Sequence, residues 1–347
     1  MDHNKKITIK QIADSCGVSP VTVSRVIAGS ASVKRETRDR ILSSMAEMGY
    51  RSFPAEPAAC QGSRLIAILA SGLNNPTKIE TINVMCQNIL AAGYLPVICT
   101  GSGEYTAGYV ESIQQNLYGI ITTYAFDRQK LPMKVMGRHL PVLVTPRCNM
   151  WTTMDSVIVD DYRSAELAVE KLHAYGHRHI VFINNEERLP GAFEALSGYR
   201  SAMLRLGLEP NEDYTFAAPA ERKYGVQIAE TICKQHPEVT AYICVNEYVG
   251  WGVLDTYILK HGVSAPEYVS VVTFDRSSSE NPSSDNPTRR MTAVGSSIAE
   301  IASKAVGTIL SLIETQPAEN QENSQRQQRI ILNPEFFVGE TIAKARC

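Results

Sequence analysis

The chain of 347 residues contains no run of about 18 apolar residues, which excludes an ordinary membrane-spanning helix. Its opening residues, MDHNKKITIK, hold no apolar stretch of the kind that an export signal needs. A cytoplasmic protein is the expectation. The eight cysteines (Cys16, Cys60, Cys86, Cys99, Cys148, Cys233, Cys244 and Cys347) show no C-x-x-C spacing. They read as reduced thiols, several of them in the core, and not as a zinc site or a disulfide framework. Phosphate-loop, H-E-x-x-H and G-x-S-x-G motifs are all missing. Gly101-Ser102-Gly103 lacks the third glycine of a dinucleotide fingerprint. His173, His177 and His179 lie near one another, but two sit at a helix end, where histidine favours the helix dipole. These absences point away from catalysis, metals and cofactors.

What is present is a soluble globular mixture, 44% hydrophobic and 20% charged, long enough for two or three domains. The net charge of −2 conceals an asymmetry. Residues 1–52 carry nine basic side chains against five acidic ones, a balance of +4, so the remainder carries −6. A basic module on an acidic body suits a phosphate-backbone partner for the module alone.

Within that module, Thr8 caps a helix with Gln11 as its capping-box partner. Ile9, Ile12, Ala13 and Cys16 follow helical spacing, and Gly17 ends the helix. Ser19 is a second N-cap, with Pro20 at the first helical position. Val23, Val26 and Ile27 form the inner stripe of the second helix. A third helix begins at about Arg35 and turns Ile41, Leu42, Met45 and Met48 inward, ending at Gly49. Two short helices on a glycine turn, braced by a third, make a helix-turn-helix unit. Its second helix enters the major groove, with Pro20, Val21 and Arg25 facing outward. Arg25 can take a guanine bidentately; Pro20 and Val21 offer only apolar contacts, such as one to a thymine methyl. Thr8, Ser19, Thr22 and Ser24 supply hydroxyls for phosphates, and Lys34 and Thr37 hold the backbone of the adjacent turn.

From Arg64 onward, apolar strand-like runs alternate with amphipathic stretches. Strands are expected at 65–70, 95–99, 119–123, 141–145, 179–184, 241–245 and 269–274. Helices are expected at 78–92, 104–115, 164–177, 197–207 and 224–235. The fold class is therefore an α-helical helix-turn-helix headpiece plus an α/β core of two doubly wound parallel-sheet lobes. Ligands of open parallel sheets bind at the carboxyl ends of the strands, which makes the cleft between the lobes the default site.

The segments ITIKQIADSCGVSPVTVSRVIAG and VKRETRDRILSSMAEMGY strongly resemble the lac-repressor-like (LacI/GalR) family of transcription regulators. The resemblance continues through the Asn74-Asn75-Pro76 element, VIVDDYRSAELAVEKLHAYGHRHIVFI (157–183), CVNEYVGWGVLDTYILKHG (244–262), EYVSVVTFDRS (267–277) and ILNPEFFVGETIA (331–343). It implies a periplasmic-binding-protein-like core and a division into a headpiece at 1–52, a hinge or linker at 53–63 and an effector-binding and dimerisation core at 64–347. The first lobe is expected at about 64–160 and 291–319, and the second at about 161–290 and 320–347. RMTAVGSSIAEIASKAVGTILSLIE (290–314) looks like the last strand and helix of the first lobe. The chain shows no heptad segment beyond the core, so a homodimer is expected.

The resemblance also assigns roles. Pro20, Val21 and Arg25 read bases of a pseudo-palindromic double-stranded DNA operator, and the flanking hydroxyls hold phosphates. Asn246 and Asp275 match family positions that orient sugar or purine effectors; with Asn75 and Arg147 they are the expected effector-binding residues, and the retained Arg147 cation suggests a sugar derivative or an acidic metabolite. Four departures stand out. Residues 51–62 hold Pro57 and no leucine where the family has a leucine-bearing hinge helix, so the segment reads as a flexible linker or as a helix starting at Pro57. Ala195 and Ala220 replace an arginine and an aromatic platform, and Pro146 followed by Arg147 replaces a carboxylate. The implied function is a repressor in which the effector changes the angle between the lobes and so the spacing of the headpieces. The alternative is a solute-binding or sensor protein with weak or no specific DNA binding, which the core alone would allow.

Overall fold

The computed structural model describes residues 8–27, 33–48, 64–70, 72–73, 76–101, 104–123, 134–135, 138–146, 154–186, 191–261, 268–274, 290–315 and 327–346. The expected hinge, at 53–63, lies outside the described residues. Three short helices come first: α1 (Ile9–Cys16), α2 (Pro20–Ile27) and α3 (Arg35–Glu47). Ile12, Ala13, Cys16, Val23, Val26, Ile41 and Met45 close on one another as their common core, with Ile9, Val18, Val33 and Met48 at its margin.

The first lobe is built on a six-stranded parallel sheet. Its strands are β1 (Leu65–Ala70), β2 (Leu95–Thr100), β3 (Leu117–Thr122), β6 (Val142–Val144), β7 (Asp155–Val159) and β13 (Arg329–Leu332), in the spatial order β13-β7-β6-β3-β1-β2. A two-residue pair, β4 (Lys134–Val135) and β5 (Arg138–His139), stands apart. The helices α4 (Pro76–Ala91), α5 (Glu104–Ile113) and α10 (Ile298–Glu314) belong to this lobe. β1 is buried along its whole length, as a central parallel strand must be when both faces are covered.

The second sheet runs β14-β12-β11-β10-β8-β9, from β8 (Ile180–Asn184), β9 (Thr215–Ala217), β10 (Ala241–Cys244), β11 (Ser270–Thr273), β12 (Thr292–Gly295) and β14 (Glu335–Phe337). All its pairs are parallel except β12 with β14. It carries α6 (Asp161–Ala174), α7 (Ala192–Arg205), α8 (Arg222–Gln235) and α9 (Glu247–His261). Phe182 and Tyr199 stack at 5.0 Å in its core, and the Tyr199 hydroxyl donates to the Ile180 carbonyl at 2.8 Å. His177, also buried, ties down the end of the chain. Its Nε2 lies 3.0 Å from the Ala343 carbonyl and its Nδ1 2.9 Å from the Thr240 hydroxyl. A carbonyl only accepts, so Nε2 carries the proton and the threonine donates to Nδ1.

The strand and helix at 290–314 part company, which corrects the expected lobe division. β12 pairs with β11 in the second sheet, while α10 packs on the first. β13 then joins the first sheet beside β7, and β14 returns to the second. Backbone pairing decides this, since four-residue strands such as TAVG and RIIL satisfy their N–H and C=O groups wherever an edge is open. The chain thus crosses between lobes after β7, after β12 and after β13. Each of these crossings leaves the carboxyl end of a parallel strand.

The α8–α9 contact rests on bare backbone. A Cβ built on Gly225 would stand 2.1 Å from the Val249 carbonyl oxygen, and one on Gly252 2.1 Å from that of Arg222. Arg222 adds a two-toothed ion pair to Asp255, with Nη2–Oδ1 at 2.7 Å. Gly225→Ala and Gly252→Ala should each separate the helices and cost about 1–3 kcal/mol. Thermal unfolding should show midpoints several degrees lower; an unchanged midpoint for both variants would contradict this packing.

Candidate nucleic-acid interface and ligand cleft

The headpiece positions its outward face through its caps. The Thr8 backbone N–H donates to Gln11 Oε1 at 2.8 Å and the Gln11 N–H donates back to Thr8 Oγ1 at 3.4 Å, closing a capping box on α1. Gly17 takes φ 62°, the left-handed conformation that turns the chain from α1 toward α2. Ser19 Oγ accepts the Thr22 N–H at 3.1 Å and lies 2.8 Å from Thr22 Oγ1. That hydroxyl pair consumes one O–H between its members and leaves the other free for an outside acceptor such as a phosphate. Ser15 Oγ meets Ser44 Oγ at 2.7 Å and links α1 to α3, a bond with no sequence signal beyond two serines on facing helices.

With Val23 and Val26 buried, the opposite side of α2 is presented outward. Pro20, Val21, Ser24 and Arg25 are all exposed, Val21 to 59%. Thr8, Ser19 and Lys34 are exposed as well, while Thr22 and Thr37 are half-buried. Every expected DNA-facing residue is therefore among the described residues, and seven of the nine are fully at the surface.

The ligand side is only partly described, as Asn75, Arg147 and Asp275 lie outside the described residues. In sequence they come after β1, β6 and β11. Asn246 is described and sits between β10 and α9. It is 3% exposed; its Oδ1 accepts the Val249 N–H at 3.0 Å, capping α9, and its Nδ2 is buried without a partner. Among the described residues three first-lobe hydroxyls share that condition, and one of them, Ser156 Oγ, lies within β7. Thr145 Oγ1, just after β6, and Thr77 Oγ1, in the first turn of α4, are buried and unpaired. Leaving such groups unmade costs about 1–3 kcal/mol each, and few occur in a native fold. Thr145 directly follows β6 and Asn246 stands between β10 and α9, whereas Thr77 opens α4 and Ser156 lies within β7. Asn246 was legible in the sequence, but Thr77 and Thr145 were not, because satisfaction is a property of surroundings. Asn184, at the end of β8, is by contrast fully employed. It donates to the Ala192 carbonyl at 2.8 Å and accepts the Asn185 N–H at 2.9 Å.

Ala195, where the resemblance has an arginine, packs inside the core of the second lobe, and Ala220 stands exposed. The carboxyl edges of the two sheets are joined where the crossings lie side by side. The Asp160 N–H donates to the Leu332 carbonyl at 3.2 Å and Ser296 Oγ to the Asn333 carbonyl at 3.4 Å. Among the described residues no cluster of metal-ligating side chains occurs, and no helix is long and apolar enough to cross a membrane.

Two family models match the chain: "Bacterial regulatory proteins, lacI family" over residues 8–52, and "Periplasmic binding protein-like domain" over residues 169–342. The transcriptional repressor PurR of Vibrio campbellii is 25% identical, over 77% of this chain and 81% of its own length. The transcriptional regulator DegA of Bacillus subtilis is 24% identical, over 96% and 97%. Among solved structures, the lac repressor dimer bound to operator and an anti-inducer superposes with a TM-score of 0.66 at 20% identity, covering 98% of this chain and 100% of that one. The regulator CelR in complex with cellobiose gives 0.66 at 22%, covering 96% and 99%. The three-helix headpiece and the two crossed parallel-sheet lobes match the two models in chain order, and the chain belongs to the lacI family of bacterial regulatory proteins, which are DNA-binding transcription regulators.

Proposed function

We propose that this regulator is a repressor that binds a pseudo-palindromic operator as a homodimer and is released or engaged by a small molecule held between its lobes. The observation that carries the DNA-reading role is the exposed Pro20–Val21–Arg25 face of α2, held outward by the buried Val23 and Val26. Arg25 reaches a guanine, and Thr8, Ser19, Thr22, Ser24, Lys34 and Thr37 hold phosphates around it. Pairing of two chains is supported by apolar side chains left outside. β2 is an edge strand with Leu95 and Ile98 exposed, Leu90 stands beside it on α4, and Leu259 on α9 is 83% exposed. A homodimer formed through these surfaces carries two headpieces, one for each half of a pseudo-palindrome.

The effector site is formed by Asn75, Arg147, Asn246 and Asp275, to which Thr77 and Thr145 are added. Asn246 uses its oxygen to cap α9, and its unpaired Nδ2 is a donor that suits an oxygen acceptor on the ligand. A sugar derivative or an acidic metabolite meets that need, and no aromatic platform stands at position 220 to favour a stacked ring. The domains then act as a headpiece at 1–52, a linker at 53–63 and a sensing core beyond. The chain works in the cytoplasm and catalyses no reaction, in keeping with relatives named as transcriptional regulators.

The two classes of DNA contact separate experimentally. Arg25→Ala should cost about 1–3 kcal/mol on the preferred duplex and relax the choice at one base pair. Lys34→Ala should weaken binding to all sequences alike and flatten its salt dependence. Equal losses on preferred and random DNA for Arg25→Ala would remove its base contact from the account. On the ligand side, Thr145→Val keeps shape and removes an unpaired hydroxyl, so the ligand-free protein should unfold about 2–4 °C higher. A lower midpoint would mean that the hydroxyl serves stability and not a ligand.

A further inference from the structure

The leading end of α2 presents carbon where a base-reading helix is expected to present hydrogen bonds. Pro20 has no N–H to give and an apolar ring, and Val21 is the most exposed large apolar side chain of the headpiece at 59%. The Ser19 and Thr22 hydroxyls beside them share one hydrogen bond at 2.8 Å, and the O–H that is left is the one assigned above to a phosphate. Strong donors return only at Arg25, one turn further along the exposed face.

On the major-groove edge of a base pair the hydrogen-bonding groups are polar, and the C5-methyl of thymine is the one apolar group that projects beyond a bare ring C–H such as that of cytosine C5. Pressing an aliphatic side chain on an N7, an O6, an O4 or an exocyclic amine strips water from that group and returns no hydrogen bond. Pressing it on a methyl buries apolar surface on both sides. From this complementarity we infer that Pro20 and Val21 form a reader of C5-methyl pyrimidines. Each operator half-site places a thymine, or a 5-methylcytosine, against this edge. The inference rests on the DNA-binding reading above and names the base chemistry that reading selects.

The geometry also sets a spacing. Val21 and Arg25 are four residues apart, about 6 Å along a helix that rises 1.5 Å per residue. Bases on one strand are spaced at about 3.4 Å. The methyl-bearing pyrimidine and the guanine taken by Arg25 therefore lie roughly one to two base-pair steps apart. Thymine and 5-methylcytosine carry the same methyl, so cytosine methylation at this position strengthens binding relative to plain cytosine.

The test uses the purified full-length chain. Selection from a random duplex library gives its preferred duplex, and each thymine is then replaced by deoxyuridine, which removes the methyl and leaves the pairing edge intact. One symmetric pair of thymines, within two steps of the selected guanine, should lose about fourfold in affinity per half-site, and about 15-fold with both half-sites changed. 5-Methylcytosine at that place should bind about fourfold better than cytosine. Val21→Ala should abolish both differences, whereas Arg25→Ala should retain them. Val21 is exposed, so its variant is expected to fold, and the uracil scan on the unaltered chain stands without it. A preferred duplex that tolerates every uracil, or holds no thymine within two steps of the guanine, overturns methyl reading and leaves DNA recognition standing. A uracil effect that survives Val21→Ala overturns the assignment to this edge, and failure to select any duplex overturns both readings.

Discussion

The structure depends most on how the chain passes between its lobes. Three crossings leave the carboxyl ends of β7, β12 and β13, and hydrogen bonds from Asp160 to Leu332 and from Ser296 to Asn333 hold them together. Parallel strands present all their carboxyl ends on one edge, so both sheets turn that edge toward the crossings. The lobes themselves are stiff. Each has a close-packed core of its own, and the α8–α9 crossing in the second lobe leaves no room for even a methyl group. On the function proposed above, a molecule that touches both edges acts on the angle between the lobes.

The unpaired polar atoms fit this arrangement. Thr77 and Thr145 belong to one lobe and Asn246 to the other, and Thr145 and Asn246 each follow the carboxyl end of a strand. A ligand that satisfies groups from both lobes binds the closed form more tightly than the open one, and only such a difference in affinity shifts a conformational balance. The headpiece needs no comparable device. Seven buried side chains and two caps fix its helices, and the working face of α2 follows from the burial of Val23 and Val26.

Much of this was legible in the sequence. Thr8 with Gln11, Gly17 and Ser19-Pro20 announce the headpiece because helix ends must satisfy their own backbone groups locally. The runs at 65–70 and 179–184 announce parallel strands because both faces of such strands are buried. Other features had no local signature. Which sheet receives TAVG or RIIL is settled by pairing partners tens of residues away. α9 is apolar on more than one side, since it packs on α8 and on the second sheet, so no single stripe marked it as a helix. Asn246 was visible as a residue type at a strand end, but its unsatisfied nitrogen, like the hydroxyls of Thr77 and Thr145, appears only when the surroundings are known.

The central claim is that the DNA-facing helices and the crossings form one coupled system. Hydrogen–deuterium exchange on the full chain, free and bound to its preferred duplex, tests it most directly. The expected result is slowed exchange in α1 and α2 together with a change at Asp160, Ser296 and Asn333, far from the duplex. Slowing confined to the headpiece, with the crossings exchanging as in the free protein, would contradict the account.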